Sequence, residues 1–209
     1  MERDGTNMSS RIEPSIRSRP TYGRLEAQDA PAHLLMADAE GGAAIAELVG
    51  RAPAGFVDTA EILYVPGAGE ADGTRVLEAL GCPRLYIGPS VHAALPRLRR
   101  SLERARMGTR LYLAGSEGLI GLAMREAMAA GHDHQGIQTE HRGTLARRVQ
   151  CVHCKGVTEE VTTQPVECAH CGLLLLVRDH YSRRLAAFQG VNVNAEDPSE
   201  VPPIEEVFR

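Results

Sequence analysis

The chain has 209 residues, a formal charge of −4, and 43% hydrophobic against 24% charged residues. That length suits one domain, or one domain with a small module, and the balance is that of an ordinary globular protein. The acidic balance, the lack of Trp and a complement of only three Phe and five Tyr argue against a dedicated nucleic-acid binder, which needs a basic face and stacking platforms. No apolar run approaches the ~18 residues of a membrane span, so no membrane partner is expected.

Residues 1–24 are polar, with scattered Pro, Arg and Ser, and read as a flexible arm that orders only on a partner. They lack the apolar stretch of a secretory signal. Five Cys without such a signal indicate a reducing compartment, so a cytoplasmic location is expected. An α/β domain is predicted over 25–144. "HLLMAD" (33–38) reads as a strand, and "EGGAAIAELVGRA" (40–52) as a helix with Ile45 and Val49 four apart. "EILYV" (61–65) is a strand running into the glycine turn "GAGEADG" (67–73), and "TRVLEALG" is a short helix closed by Gly81. The strand "RLYIG" (84–88) precedes a helix in "HAALPRLRRSLERARM", with Leu95, Leu98 and Leu102 on one face and Pro96 placed in its first turn. "RLYLAG" (110–115), the helix "SEGLIGLAMREAMAAG" (116–131) stopped by Gly131, and the short strand "GIQTEHRG" (136–143) complete the alternation. Strands alternating with helices imply a parallel sheet with flanking helices, which places ligands outside the carboxyl ends of its strands.

The composition then changes. Residues 145–192 hold "CVHC" and "CAHC", Val- and Thr-rich runs and "LLLLV" (173–177), a pattern of short strands. In "VRDHYSRRLAAFQGV" (177–191), Tyr181, Leu185 and Phe188 recur at helical spacing and predict a docking helix. Residues 193–209 are acidic and Pro-rich and read as an extended tail.

Cys151, Cys154, Cys168 and Cys171 form two Cys-x-x-Cys pairs. Each pair makes a tight knuckle that aims two sulfurs at one point, with Gly156 and Gly172 supplying the backbone freedom. Four thiolates around one divalent cation make a closed tetrahedral site, and zinc is the default metal. A closed site staples a small module and performs no chemistry. A one-iron centre or an iron–sulfur cluster would use the same ligands. His153 and His170, inside the two gaps, read as exposed knuckle residues, and Cys82 as a buried inert thiol.

Gly67 and Gly69, after a strand and before a helix, form a weak nucleotide signal, together with Gly115 and Ser116 at the next such turn. Glu70 and Asp72 oppose a phosphate at the first turn, where Asp72 instead suits a helix cap. Arg97, Arg99, Arg100, Arg104 and Arg106 read as a solvated face. No catalytic residue is assigned.

"LYLAGSEGLIGLAMREAMAAGHDHQGIQTEHRG" (111–143) resembles the final strand–helix–strand of ferredoxin-reductase-type nicotinamide domains, and the resemblance extends over 61–143. Ala114 stands where those domains have a Cys near the nicotinamide, Ser116 replaces a Pro, and His141 replaces a terminal aromatic residue. With the ending "CGLLLLVRDHYSRRLAAFQGV", the whole of 30–192 resembles the small zinc-ribbon subunits of bacterial haem-dependent dimethylamine monooxygenases. That resemblance implies a non-haem assembly subunit of a complex that uses NADPH and O2 to convert dimethylamine to methylamine and formaldehyde. It also implies haem-containing and reductase partner subunits that carry the haem, FMN, 2Fe-2S and NADPH sites. The alternatives are a stand-alone reductase-like electron carrier with a four-cysteine iron centre, and a zinc-ribbon nucleic-acid adaptor.

Overall fold

The computed structural model describes residues 18–194 and 201–208. In chain order the first part runs β1 (His33–Asp38), α1 (Gly41–Arg51), β2 (Ala60–Val65), α2 (Thr74–Ala79), β3 (Leu85–Ile87), α3 (Val91–Arg104), β4 (Arg110–Gly115), α4 (Glu117–Ala129) and β5 (Ile137–His141). The five strands pair in parallel in the order β3-β2-β1-β4-β5. This is the α/β architecture expected from the alternation. All six residues of β1 are buried, as a parallel strand covered on both faces requires. Leu34, Met36, Leu63 and Leu113 pack against Leu98 of α3 and Ile120 of α4 on one face. Leu35, Ile62, Tyr64 and Tyr112 pack against Ile45 and Leu48 of α1 and Leu77 of α2 on the other.

Local signals place the helix ends. Ser90 caps α3 by accepting from the Ala93 N–H, and Ser116 caps α4 by accepting from the Leu119 N–H at 3.1 Å. Asp72, expected to cap α2, lies one residue before its N-cap Gly73 and instead accepts from the Thr74 N–H at 2.9 Å in a local turn. Beyond α4, the His132 N–H reaches Ala127 and the Gly131 N–H reaches Met128, the paired bonds of a Schellman stop. Pro96 differs from expectation. Because α3 starts at Val91, Pro96 lies in its second turn. The bond it cannot donate would have gone to His92, an exposed residue.

The second part is all β: β6 (Arg147–Cys151), β7 (Val157–Val161), β8 (Thr163–Gln164), β9 (Val166–Glu167), β10 (Leu174–Ser182) and β11 (Ala187–Asn192), ending in β12 (Glu205–Glu206). Its five-stranded sheet has the order β7-β6-β11-β10-β9. The docking helix expected over 177–191 is replaced by the β10–β11 hairpin. Tyr181 lies opposite Phe188 across a four-residue turn, so these two neighbours are seven residues apart, the same interval as two helical turns. A bulge between Arg178 and Tyr181 breaks the strand alternation further.

The hairpin turn is where the two parts meet. Ala186, at its tip, is buried in the core that α3 and α4 build. A side chain at Gly121 of α4 would strike the Tyr181 hydroxyl. Arg148 donates to the carbonyls of Leu185 at 3.1 Å and Ala186 at 2.6 Å, and grips Glu159 with two further bonds.

Both termini are more integrated than their composition predicts. Residues 1–17 of the expected arm lie outside the described residues. Residues 18–24 do not wait for a partner. The Gly23 N–H donates to Thr139 of edge strand β5, and the Leu25 N–H to the Glu140 carboxylate at 2.8 Å. Leu25 is fully buried, and the Ser18 hydroxyl bonds the Asp179 carbonyl in β10. At the other end β12 pairs with β8. Phe208 is buried and sandwiches the Arg147 guanidinium, whose carbon lies 4.1 Å from its ring centre and 4.0 Å from that of Phe188. Arg147 also pairs with Asp179 at 2.8 Å.

Phe208→Ala is expected to lower the unfolding free energy by about 3 kcal/mol, from lost burial and lost stacking on a guanidinium that stays buried. Denaturant unfolding checks this, and an unchanged midpoint would show that the tail is not part of the folded unit.

Candidate metal centre and the sheet crevice

The two Cys-x-x-Cys knuckles share one backbone design. In each, the N–H four residues after the first Cys returns to that Cys carbonyl, from Lys155 to Cys151 and from Gly172 to Cys168, both at 3.0 Å. The first Cys itself donates five residues ahead, Cys151 to Gly156 and Cys168 to Leu173, both at 2.9 Å. The fourth residue after that Cys takes the left-handed conformation, φ 65° at Lys155 and 74° at Gly172. The sequence reading assigned this conformation in the first knuckle to Gly156. Gly156 has another purpose: a Cβ there would overlap the His170 ring. That ring crosses from one knuckle to the other, and its Nε2 bonds the Val157 carbonyl at 2.9 Å.

The four predicted sulfurs are brought together, all within 4.8 Å of one another. Cys151 and Cys171 are 3.9 Å apart and Cys154 and Cys168 3.7 Å. A tetrahedral ion with sulfur bonds of about 2.3 Å has an edge of about 3.8 Å. Disulfide sulfurs would sit at about 2.05 Å. Cys151 and Cys168 are buried and Cys154 and Cys171 exposed, so the centre sits at the rim of the module.

The four sulfurs act on one another electrostatically. Burial pushes the Cys168 thiol up, but the N–H groups of His170 and Cys171 and the neighbouring thiols outweigh it and hold it near 6. Cys171 is driven the other way, to about 12: the Leu173 N–H pulls it down, while burial and the three other sulfurs push it up. Four like charges in this space cannot coexist without an ion at their centre. The donor set fits a soft or borderline metal held by Cys151, Cys154, Cys168 and Cys171.

At the sheet crevice the strand order reverses between β1 and β4, and there a doubly wound sheet binds its ligand. In this chain a side chain occupies that place. The Asp38 carboxylate accepts from the Ser116 N–H at 2.8 Å and from its hydroxyl at 2.6 Å. Gly115 has φ 122°, and any side chain there would overlap Asp38. Burial pushes the Asp38 carboxyl up, Ser116 resists, and Glu40 adds a further upward push. Gly67 packs on Ala39 from the neighbouring turn, while Gly69 is open to solvent. The four glycine-turn residues singled out from sequence therefore line one edge. Gly115 and Ser116 cradle a carboxylate of the chain itself. Asp38, which fills the crevice, escaped the sequence reading because its role depends on β1 lying beside β4. Cys82, expected to be a buried inert thiol, is half-buried instead, against the carbonyls of Val57 and Ala60.

The fold and the centre together define a parallel α/β domain joined to a four-cysteine metal module. The chain belongs to the DmmA-like family of dimethylamine monooxygenase subunits, whose N-terminal domain model matches residues 14–137 and whose C-terminal domain model matches 148–191. It is 33% identical, over 149 residues, to the heme-dependent oxidative N-demethylase delta subunit of Ectopseudomonas mendocina (strain ymp), covering 66% of this chain and 81% of that one. The solved structure of phthalate dioxygenase reductase, described as modular for electron transfer from pyridine nucleotides to [2Fe-2S], aligns with a TM-score of 0.38 at 14% identity. That alignment spans 68% of this chain and 46% of the reductase.

The raised Asp38 pKa has a definite sign in stability. The native chain holds this proton more tightly than the unfolded chain, so the contribution is full at low pH and is lost as pH rises from the ordinary carboxyl range through the native value. Asp38→Asn has no such titration. Its stability relative to the parent chain is expected to rise between about pH 4 and pH 7. Denaturant unfolding of both chains across that range is the check, and a flat or falling difference would contradict the assignment.

Proposed function

We propose that this chain is a non-catalytic assembly subunit of a haem-dependent N-demethylase, riveted by zinc at Cys151, Cys154, Cys168 and Cys171. Membership of the family and the delta-subunit relative support the complex. The observation that carries the structural role is the closed four-sulfur cage. When bound there, zinc would supply a fixed charge and four bonds, with no open position for substrate. The knuckle amides lower the cost of the thiolates, and the β10–β11 hairpin carries the centre's position into the α/β domain.

The substrate of the complex is dimethylamine, demethylated to methylamine and formaldehyde with NADPH and O2. The haem, FMN, 2Fe-2S and NADPH sites belong to the partner subunits, and the assembly works in the cytoplasm. What supports leaving the nucleotide elsewhere is the crevice itself. A pyrophosphate placed between β1 and β4 would meet the Asp38 carboxylate, with Glu40 close by. Desolvating like charges side by side opposes binding. Gly67, Gly69, Gly115 and Ser116 are then relics of a nucleotide site, of which Gly67, Gly115 and Ser116 now serve packing and Gly69 only its turn. Among the described residues no helix is long and apolar enough to cross a membrane.

Elemental analysis of the purified chain is expected to give one zinc per polypeptide and a colourless solution. Cys154→Ser should lose the metal and the cooperative unfolding of the module, and should fail to co-purify with a haem subunit. A red or brown chain containing iron, or NADPH oxidation by the chain alone, would replace this reading with that of an electron carrier.

A further inference from the structure

The parallel sheet has a second edge, where its strands begin. There a cleft of about 660 Å³ opens beneath the start of β1 and β2 and the end of α3. Arg84, Arg97, Arg104 and Arg106 line it, against one carboxylate, Glu61. The chain as a whole is acidic, so this concentration of guanidinium groups runs against its average. Glu61 sits on the floor, held by the Ser101 hydroxyl at 2.8 Å, and engages Arg97 at 3.4 Å and Arg104 at 3.8 Å. A guanidinium has five donors, and those two contacts leave most of them unfilled. Arg106 has no charged partner among the described residues. Beside it Met107 is 99% exposed at the rim.

We infer that this cleft is a docking surface for a carboxylate-rich segment of another protein. Three observations favour a chain over a small anion. Arg97 and Arg104 are seven residues apart on α3, about 10.5 Å along its axis. Their guanidinium groups both turn to Glu61, while Arg106 enters the lining from beyond the helix end, so the positive charge is spread along the cleft and not gathered at one phosphate-sized point. The helix end facing the cleft is the carboxyl end of α3, whose cap Ala105 lines it. Its dipole repels an anion held by backbone, so only the arginine side chains attract. Finally, an exposed Met beside clustered Arg is the composition of a protein interface. The inference rests on the subunit reading for the source of the segment, and not for its chemistry.

A fluorescein-labelled deca-glutamate peptide is the probe, with full-length, metal-loaded protein and anisotropy as the readout. Binding should weaken at least tenfold in Arg104→Ala/Arg106→Ala and in Arg106→Ala/Met107→Ser, whose residues carry little of the fold. It should weaken similarly between about 50 and 200 mM salt. Arg183→Ala/Arg184→Ala, on the β10–β11 turn, should change it less than twofold. Circular dichroism and metal content confirm that each variant is folded. The inference is overturned by no peptide binding, by binding that the cleft substitutions leave unchanged, or by preferential binding of inorganic pyrophosphate or of a deca-thymidine oligonucleotide. Each of those results leaves co-purification with a haem subunit, and so the proposed function, to stand or fall separately.

Discussion

Four sulfurs confined within 4.8 Å are the constraint on which the second half of this chain depends. Its module has about 45 residues, a size at which a hydrophobic core alone is marginal. The knuckles bring four sulfurs close enough that a central cation would relieve the repulsion among their thiolates. Four strands of the module flank the centre. β6 leads into the first knuckle and β7 leaves it; β9 leads into the second and β10 leaves it. β11 closes the sheet by lying parallel to β6 and antiparallel to β10.

That closure ties the centre to the rest of the molecule. The hairpin that ends one sheet inserts Ala186 into the core of the other. Arg147 and Arg148, adjacent on β6, face opposite ways as strand neighbours must. Arg147 stacks between Phe188 and Phe208, while Arg148 holds the hairpin turn and Glu159. Two buried guanidinium groups are costly unless each finds partners on every side. Here each partner belongs to a different segment, so the arginines report whether hairpin, tail and β7 are all in place.

The parallel sheet, its helices and the convergence of the four cysteines were legible in the sequence because each rests on a local pattern. The run "HLLMAD" is β1 to the residue, and Gly131 stops α4 by the bonds its position implies. What was not legible depended on neighbours distant in sequence. The spacing of Tyr181, Leu185 and Phe188 reads as a helix until β11 folds back on β10. Lys155 adopts the conformation assigned to Gly156, because Gly156 is reserved for the approach of His170 from the other knuckle. Residues 18–24 and Phe208 look like tails because their partners, Thr139, Asp179 and Arg147, lie elsewhere in the chain.

The two edges of the parallel sheet have opposite characters, and the difference follows from single side chains. At the carboxyl edge, the helix amino ends of α1 and α4 supply the positive field that attracts a phosphate in sheets of this kind. Asp38 meets that field first, and Gly115 must lack a side chain to admit it. The attraction is thereby spent within the chain. At the amino edge the helix dipole points the wrong way for an anion, and arginine side chains supply a positive field that backbone cannot. A field built from side chains is broad and exposed, which suits an extended acidic surface and not a buried cofactor.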